Sequence, residues 1–230
     1  MRILPIITLN KIKKVLNNVK ELVKPSEYKL INFQLVDSWE ISYPLYNLPS
    51  TDIIDVLYQG SGADGRLGIG GGGGAFCHVR IRNPHLLSSI YYFHFYDDFR
   101  INKRDGSYVK LLSWRNPTYY DQGARIDLIY EDETGFLINF PYVELKNIVD
   151  GGNGAPSNNN GGSVSTVIEL LDRTIYIFSK GGNFIPGAGG GGGAAVLGEG
   201  NGGLYGGGGS GHAKGAPGCL IIYHYRKIGG

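Results

Sequence analysis

The sequence has few of the residues that disulfide frameworks, metal centres and membrane spans require. Its 230 residues include only two cysteines, Cys77 and Cys219, so neither a disulfide framework nor a CxxC metal signature is present. We expect two buried free thiols, and a Cys/His metal site using His78 or His224 is the alternative. The net charge of +2 indicates neither a nucleic-acid binder nor an acidic protein. No apolar run reaches the roughly 18 residues of a membrane span, so we expect no membrane insertion.

The N-terminal segment 1–25 differs in charge from the rest of the chain. Its first 24 residues carry six basic side chains against one acidic side chain, and the run Ile3 to Leu9 lacks a small-residue cleavage site, so we expect no signal peptide. Residues 10–24 have the apolar spacing of a short amphipathic helix that Pro25 ends. This helix either packs on its own domain or forms an anchor that docks on a larger assembly or associates around a symmetry axis. Its a/d positions are Ile12, Val15, Val19 and Leu22.

Residues 26–230 have the pattern of a mostly β domain, because β-branched and aromatic runs alternate with turn residues. The pattern favours an antiparallel β-sandwich or a jelly-roll-like fold. Segments 103–106 and 131–135 are typical of tight turns, and 150–162 is typical of a flexible surface loop. The expected strands are Lys29–Leu35, Ser38–Tyr43, Ile53–Tyr58, Phe76–Arg82, Ser89–Tyr96, Tyr108–Trp114, Arg125–Tyr130, Phe136–Phe140, Ser163–Leu170, Thr174–Ser179 and Cys219–Tyr225.

Glycine is the residue in excess, with 38 copies that occur in clusters. About half of residues 181–218 are glycine, and few Ser, Thr or Lys residues are interspersed as they would be in a flexible linker. Strict Gly-X-Y phasing is absent, which excludes collagen. The remaining ordered structure is a bundle of polyglycine-II helices, whose bare backbones approach closely and hydrogen-bond to one another. The glycines expected to pack in this bundle are Gly70, Gly71, Gly72, Gly73, Gly74, Gly189, Gly190, Gly191, Gly192, Gly193, Gly206, Gly207, Gly208 and Gly209.

A family resemblance follows from the order of these elements. An aliphatic strand runs into glycine at 53–62, a pure glycine run ends in Ala75 and Phe76, and later glycine runs precede the closing strand 219–223. This succession resembles the glycine-rich domains of bacteriophage tail-fibre and adhesin proteins. The resemblance covers 51–76 and 181–225 as a glycine-rich framework, with 84–162 as an aromatic-rich insertion. It implies a β-sandwich joined to polyglycine-II bundles, and a role in virion structure and host attachment.

No motif in the chain predicts an enzyme. Gly60-x-Gly62-x-x-Gly65 follows a strand as a dinucleotide fingerprint does, but the glycines after it cannot propagate the helix that holds a pyrophosphate. The carboxylates at 97–98 and 131–133 favour solvated turns; cation binding or glycoside hydrolysis is the alternative. We therefore expect no catalytic residue, metal or cofactor. Tyr119 and Tyr120 follow an Asn-Pro-Thr turn, where they either pack in the protein or contact a sugar or protein ligand.

The leading hypothesis is a structural virion component of a bacteriophage, in a tail or head fibre. The N-terminal segment would bind other virion proteins, and the glycine-rich β domain would project outward toward a host receptor or glycan. A homotrimer is the expected assembly, because fibres close a threefold axis and a short anchor gains avidity by repetition. The expected location is the virion, assembled in the host cytoplasm. The alternative is a carbohydrate-binding or carbohydrate-processing surface protein.

Overall fold

Antiparallel β-strands make up most of the structure. The computed structural model describes residues 20–23, 26–37, 40–93, 98–114, 123, 125–132, 134–156, 159–183, 190–203 and 205–229. Strands account for 47% of it, and one 3₁₀ turn spans Pro84–Leu86. The strands are β1 (Lys20–Val23), β2 (Tyr28–Val36), β3 (Glu40–Pro44), β4 (Ile53–Gln59), β5 (Phe76–Arg82), β6 (Leu87–Phe93), β7 (Asp98–Lys103), β8 (Tyr108–Trp114), β9 (Arg125–Glu131), β10 (Val143–Val149), β11 (Val164–Glu169), β12 (Arg173–Ser179) and β13 (Cys219–Lys227).

These strands form three sheets. The central sheet has the order β10-β5-β4-β13-β2, and the outer sheet has the order β3-β6-β7-β8-β9. The small sheet contains β1, β12 and β11 in that order. Neighbouring strands pair antiparallel throughout the described residues. The expectation of a mostly β, antiparallel fold is therefore confirmed.

The three inner strands of the central sheet, β5, β4 and β13, are buried on both faces over most of their length. All seven residues of β4 are buried, and their side chains alternate between two hydrophobic cores. Ile54 and Val56 pack toward the outer sheet, whereas Ile53 and Leu57 pack toward the small sheet. A strand with both faces covered needs apolar residues at successive positions. This requirement explains the continuous aliphatic runs of β4 and β13.

The outer sheet buries one face and leaves the other accessible. Its inward residues are fully buried, and the aromatic side chains among them contact Tyr58 of β4. The Tyr58 ring stacks on Phe99 with 5.4 Å between centroids and meets Tyr92 edge-on at 6.0 Å. Tyr92 and Phe99 of the aromatic-rich segment 84–162 therefore contribute to core packing between two sheets. The fully buried inward residues are Ile90, Tyr92, Phe99, Ile101, Val109 and Leu111.

Both expected tight turns are confirmed. The Gly106 amide donates to the Lys103 carbonyl oxygen (3.4 Å) in the connection from β7 to β8. The Gly135 amide donates to the Asp132 carbonyl oxygen (3.0 Å) in the second turn. Gly135 has a φ of 84°, a left-handed conformation that glycine adopts without steric cost.

The expected strand Phe136–Phe140 is wrong. Only Leu137 makes a β-bridge there, to Glu131, and the side chains of Phe136 and Leu137 are 72% and 76% exposed. The Asp132 carboxylate accepts hydrogen bonds from the Thr134 and Phe136 amides. These amides are then unavailable for a strand ladder, so the local side-chain bonds replace the strand.

The predicted N-terminal helix is wrong over the part of it that is described. Residues 20–23 form β1, which pairs with β12 and places Leu22 opposite Thr174. Pairing with β12 covers an edge that would otherwise leave backbone groups unpaired, and this outweighs the helical spacing of the side chains. Ile12, Val15 and Val19 lie outside the described residues. Within the described ranges, no helix has the length and hydropathy to cross a bilayer.

Candidate functional site

Glycine-rich backbone segments meet at one end of the central sheet and form what we call the glycine network. It comprises residues 60–65, 70–75, 151–155, 159–162, 190–195, 206–211 and 213–218, which hydrogen-bond to one another. Three strand ends face it in register, since Gln59 of β4 pairs with both Phe76 of β5 and Cys219 of β13. The expectation that Phe76 and Cys219 mark the change from glycine to sheet is confirmed.

Hydrogen bonds in the network repeat every three residues. In segment 70–75, amides three positions apart donate to the same neighbouring segment, and the next pair donates to a different one. The bonds are Gly70 to Ala155 (2.8 Å), Gly73 to Gly152 (2.8 Å), Gly71 to Gly209 (2.7 Å) and Gly74 to Gly206 (2.6 Å). The same spacing relates Gly152 and Ala155, which donate to Ala194 and Gly191, and Gly62 and Gly65, which donate to Ala216 and Ala213. Successive amides therefore turn toward different neighbours, as in a structure with three residues per turn.

Side chains are excluded from the network by lack of space. A Cβ atom at Gly73 would overlap the carbonyl oxygen of Ala194, and one at Gly192 would overlap that of Gly208. The overlapping atoms are backbone atoms held by their own hydrogen bonds, so they cannot move aside as a flexible side chain can. Glycine is required at these positions for close approach of backbones.

The described residues 151–155 and 159–162 of the predicted loop hydrogen-bond into this network. Gly152 both donates to Ala194 and accepts from Gly73, with 2.8 Å in each bond. Gly162 donates to the Asn153 carbonyl oxygen at 2.7 Å. The prediction was wrong for these residues because their polar composition resembles that of a solvated loop, whereas their glycines fill gaps between neighbouring backbones.

Gln59 connects β4 to the network, and sequence reasoning missed it. Its buried side chain donates from Nε2 to the carbonyl oxygens of Gly74 (3.0 Å) and Ala75 (3.1 Å). Its Oε1 accepts from the Leu197 amide at 3.2 Å. One amide side chain thus joins β4 to two distant parts of the chain. The sequence did hold a signal for this role, because Gln59 is a polar residue between the aliphatic run of β4 and Gly60.

The residues after the Gly60-x-Gly62-x-x-Gly65 pattern form a tight turn, not a helix. Arg66 and Ile69 exchange backbone hydrogen bonds of 2.9 and 2.7 Å. Leu67 and Gly68 between them have φ values of 45° and 82°. Two successive positive φ angles are typical of a type I′ turn. The geometry that would hold a pyrophosphate at a helix N-terminus is therefore replaced here by a hairpin.

The predicted packing glycines that are described lie in the network. Gly70 to Gly74, Gly190 to Gly193 and Gly206 to Gly209 are all buried. Gly189 lies outside the described residues, as do Tyr119 and Tyr120 of the predicted ligand contact. Among the predicted anchor residues, Leu22 alone is described, and it lies in β1.

A buried ion pair crosses two central strands beside the small sheet. The carboxylate of Asp55 is fully buried and accepts from Arg80 Nε (2.7 Å) and from a terminal guanidinium nitrogen (2.9 Å). Arg80 also donates to the Glu169 carbonyl oxygen at 3.0 Å, which links the central sheet to β11. Burial opposes the charge of Arg80, but its hydrogen bonds to Asp55 and the negative charge of that carboxylate outweigh burial and raise the pKa of Arg80.

A second cluster joins the buried side chains of Asp52 and His224 to Arg226, whose side chain is exposed. Arg226 donates to both carboxylate oxygens of Asp52 (3.2 and 3.0 Å), and His224 Nε2 lies 2.7 Å from Asp52 Oδ2. With Nε2 protonated, His224 Nδ1 can accept from the Tyr43 hydroxyl at 3.3 Å. Burial lowers the pKa of His224, against the opposing effect of Asp52. The neutral imidazole thus ties β13 to β3 of the outer sheet.

The described residues give no support to metal or carboxylate chemistry at the places considered from the sequence. Cys77 and Cys219 are buried free thiols, as expected, and burial raises the pKa of both. No group of three or more His, Cys, Asp or Glu side chains suited to a metal ion occurs in the described ranges. Asp98 pairs with Arg100 (2.6 Å), and Glu131 accepts from the Tyr108 hydroxyl (3.1 Å).

Two comparisons with known proteins were made to look for relatives of this chain. A scan against protein-family models and a search of curated proteins both gave no match.

Proposed function

We propose that the protein is a structural, non-enzymatic fibre component of a bacteriophage virion, from a tail or head fibre. The observation that carries this proposal is the glycine network with its three-residue hydrogen-bonding period. A polyproline-II-type helix has three residues per turn and no internal hydrogen bonds, so we interpret the network as a bundle of polyglycine-II helices. The outer and central sheets would form the accompanying jelly-roll-like sandwich.

A bundle of this kind suits a mechanical role. Its cohesion comes from buried backbone hydrogen bonds between segments far apart in sequence, and at its close-packed glycines there is no space for a side chain. Its attachment to several central strands would transmit force directly into the sheets. A glycine-rich β domain of this kind can project from the virion and contact a receptor or glycan on the host surface.

The N-terminal segment would anchor this body to other virion proteins. Because Leu22 lies in β1, the proposed anchor is limited to residues 1–19 and its apolar positions are Ile12, Val15 and Val19. Repetition of a short anchor around a threefold axis increases its avidity, which favours a homotrimer. Assembly would take place in the host cytoplasm, and the mature location would be the virion.

Sedimentation equilibrium of the full chain tests this proposal. We expect a species of three times the 25.0 kDa of one chain. The double variant Val15→Asp/Val19→Asp should sediment as a monomer with an unchanged melting temperature. The control Leu67→Asp changes a turn residue that is 89% exposed and should remain trimeric. A wild-type chain that is monomeric at every concentration tested would refute the trimeric fibre.

A further inference from the structure

A cavity of about 260 Å³ lies where the edges of two sheets approach each other, away from the glycine network. One wall comes from β10, the edge of the central sheet, and the other comes from β11, the edge of the small sheet. The residues that line it are His78, Lys146, Asn147, Val167 and Glu169.

A bulge shapes the β10 wall. Pairing with β5 passes from Leu145 opposite Val79 to Asn147 opposite His78, so Lys146 is an extra residue without a partner position. Such a bulge bends a strand and redirects side chains, and bulges are common beside binding sites. Here it brings two consecutive residues, Lys146 and Asn147, to the same cavity.

Side chains from the central sheet hold the β11 wall in place. Asn147 Nδ2 donates to Thr166 Oγ1 (2.8 Å) and to the Val167 carbonyl oxygen (3.2 Å). The Arg80 guanidinium donates to the Glu169 carbonyl oxygen at 3.0 Å. These bonds satisfy backbone acceptors at the open edge of β11 and fix its distance from β10. The cavity is therefore preformed.

The lining is polar, with charges of both signs. The Lys146 ammonium lies 2.8 Å from Glu144 Oε1, and Glu169 presents an exposed carboxylate. His78 is 1% exposed, and its Nε2 makes no hydrogen bond among the described residues although it lies 3.1 Å from Asp55 Oδ1. An unsatisfied buried nitrogen is uncommon in folded proteins. The charged groups that the cavity offers to a ligand are therefore those of Lys146 and Glu169.

These charges discriminate between classes of ligand. A phosphate or other anion would face Glu169, whereas a cation would face Lys146. An apolar ligand would desolvate both charged groups without giving them a partner. A neutral hydroxyl group can donate to a carboxylate and also accept from an ammonium group. The lining therefore fits a neutral polyhydroxyl compound.

We propose that this cavity binds one neutral monosaccharide unit. Its volume is below the roughly 300 Å³ at which sites for drug-sized ligands begin, so a single sugar ring fits better than an oligosaccharide or a nucleotide. Lys146 and Glu169 hydrogen-bond to the ring hydroxyls, and Val167 contacts a C–H face. The site deepens the attachment role and rests on the proposed function for the source of the sugar, a glycan on the host surface.

Saturation-transfer NMR with the full chain tests the site. The probes are glucose, galactose, mannose and N-acetylglucosamine, each offered separately, with inorganic phosphate and free serine as competing classes. We expect transfer to at least one of the four sugars. Lys146→Ala and Glu169→Ala should each weaken its binding about tenfold, since each removes a hydrogen bond from a charged group. Val167→Phe should abolish binding by filling the cavity.

Glu27→Ala is the matched control, because it removes an exposed carboxylate outside the cavity and should bind as the parent chain does. Melting temperatures of all variants establish that they are folded. The proposal is overturned if none of the four sugars shows transfer, if Lys146→Ala and Glu169→Ala bind as the control does, or if phosphate or serine is preferred. Sedimentation of the same samples separates the two proposals: absent sugar binding in an intact trimer overturns the cavity site alone, and sugar binding by a monomer overturns the trimeric fibre alone.

Discussion

An alanine at position 73 would place a methyl group where three glycine segments meet. The Gly73 amide donates to the Gly152 carbonyl oxygen, and the Gly152 amide donates to the Ala194 carbonyl oxygen, with 2.8 Å in both bonds. The new Cβ atom would overlap that Ala194 oxygen. Gly73→Ala must therefore separate the segments and break both hydrogen bonds. At about 2 kcal/mol for each buried bond left unmade, we expect a loss of about 4 kcal/mol.

Thermal unfolding followed by circular dichroism measures this loss, which corresponds to a decrease in melting temperature of about 8 to 16 °C for a chain of this size. Gly135→Ala is the control, because nothing lies within 4 Å of its added Cβ and only the strain of its positive φ remains. That strain costs about 1 to 2 kcal/mol. Gly192→Ala, which meets the Gly208 carbonyl oxygen, should behave as Gly73→Ala does. If both network variants lose no more stability than Gly135→Ala, the segments do not pack as described.

The buried charges lead to two further predictions. Asp55→Asn leaves the Arg80 guanidinium buried without its counter-charge, and we expect urea denaturation to show a loss of about 3 to 5 kcal/mol. The exposed pair of Arg82 and Glu144 is the comparison, and Arg82→Gln should cost less than about 1 kcal/mol. His224 has a lowered pKa in the folded state, so the unfolded state binds its proton more readily. Its contribution to stability is therefore complete above about pH 6.5 and decreases as the pH falls toward the folded pKa, a dependence that His224→Gln should remove from a pH series of urea unfolding curves.

Two results would contradict these predictions. If Asp55→Asn and Arg82→Gln lost equal stability, the Asp55 carboxylate would not be compensating a buried guanidinium. If the free energy of unfolding below about pH 6.5 depended on pH in the same way in His224→Gln and in the parent chain, the neutral imidazole of His224 would not stabilise the cluster with Asp52.

The strand with a continuous apolar run was predictable from sequence, whereas β10 and β7 were not. The run 53–58 is apolar at nearly every position because β4 is buried on both sides, so its strand was expected. β10 was missed, because the extra residue Lys146 interrupts its alternation. β7 was also missed, although Phe99 and Ile101 alternate with polar residues, because charged residues and asparagine occupy its other positions.

Order in the glycine runs was predictable, but their partners were not. The scarcity of interspersed Ser and Thr in 181–218 argued against a linker, and the structure places the described runs in a hydrogen-bonded network. Nothing in the composition of 151–155 distinguished it from a solvated loop, because its partners lie on segments 70–75 and 190–195. The cavity lined by His78 and Glu169 could not be predicted for the same reason, since it combines β10 and β11 with His78 of β5, which is remote from both in sequence.

The three-residue period of the glycine network restricts how these segments can change in length. One additional glycine in 70–75 would rotate every later amide in the segment by a third of a turn, away from its present acceptor and toward a different neighbour. Three additional glycines would restore every direction and lengthen the segment by about 9 Å. We therefore expect this segment to accept insertions and deletions in multiples of three residues, because only these keep every amide directed at its present neighbour.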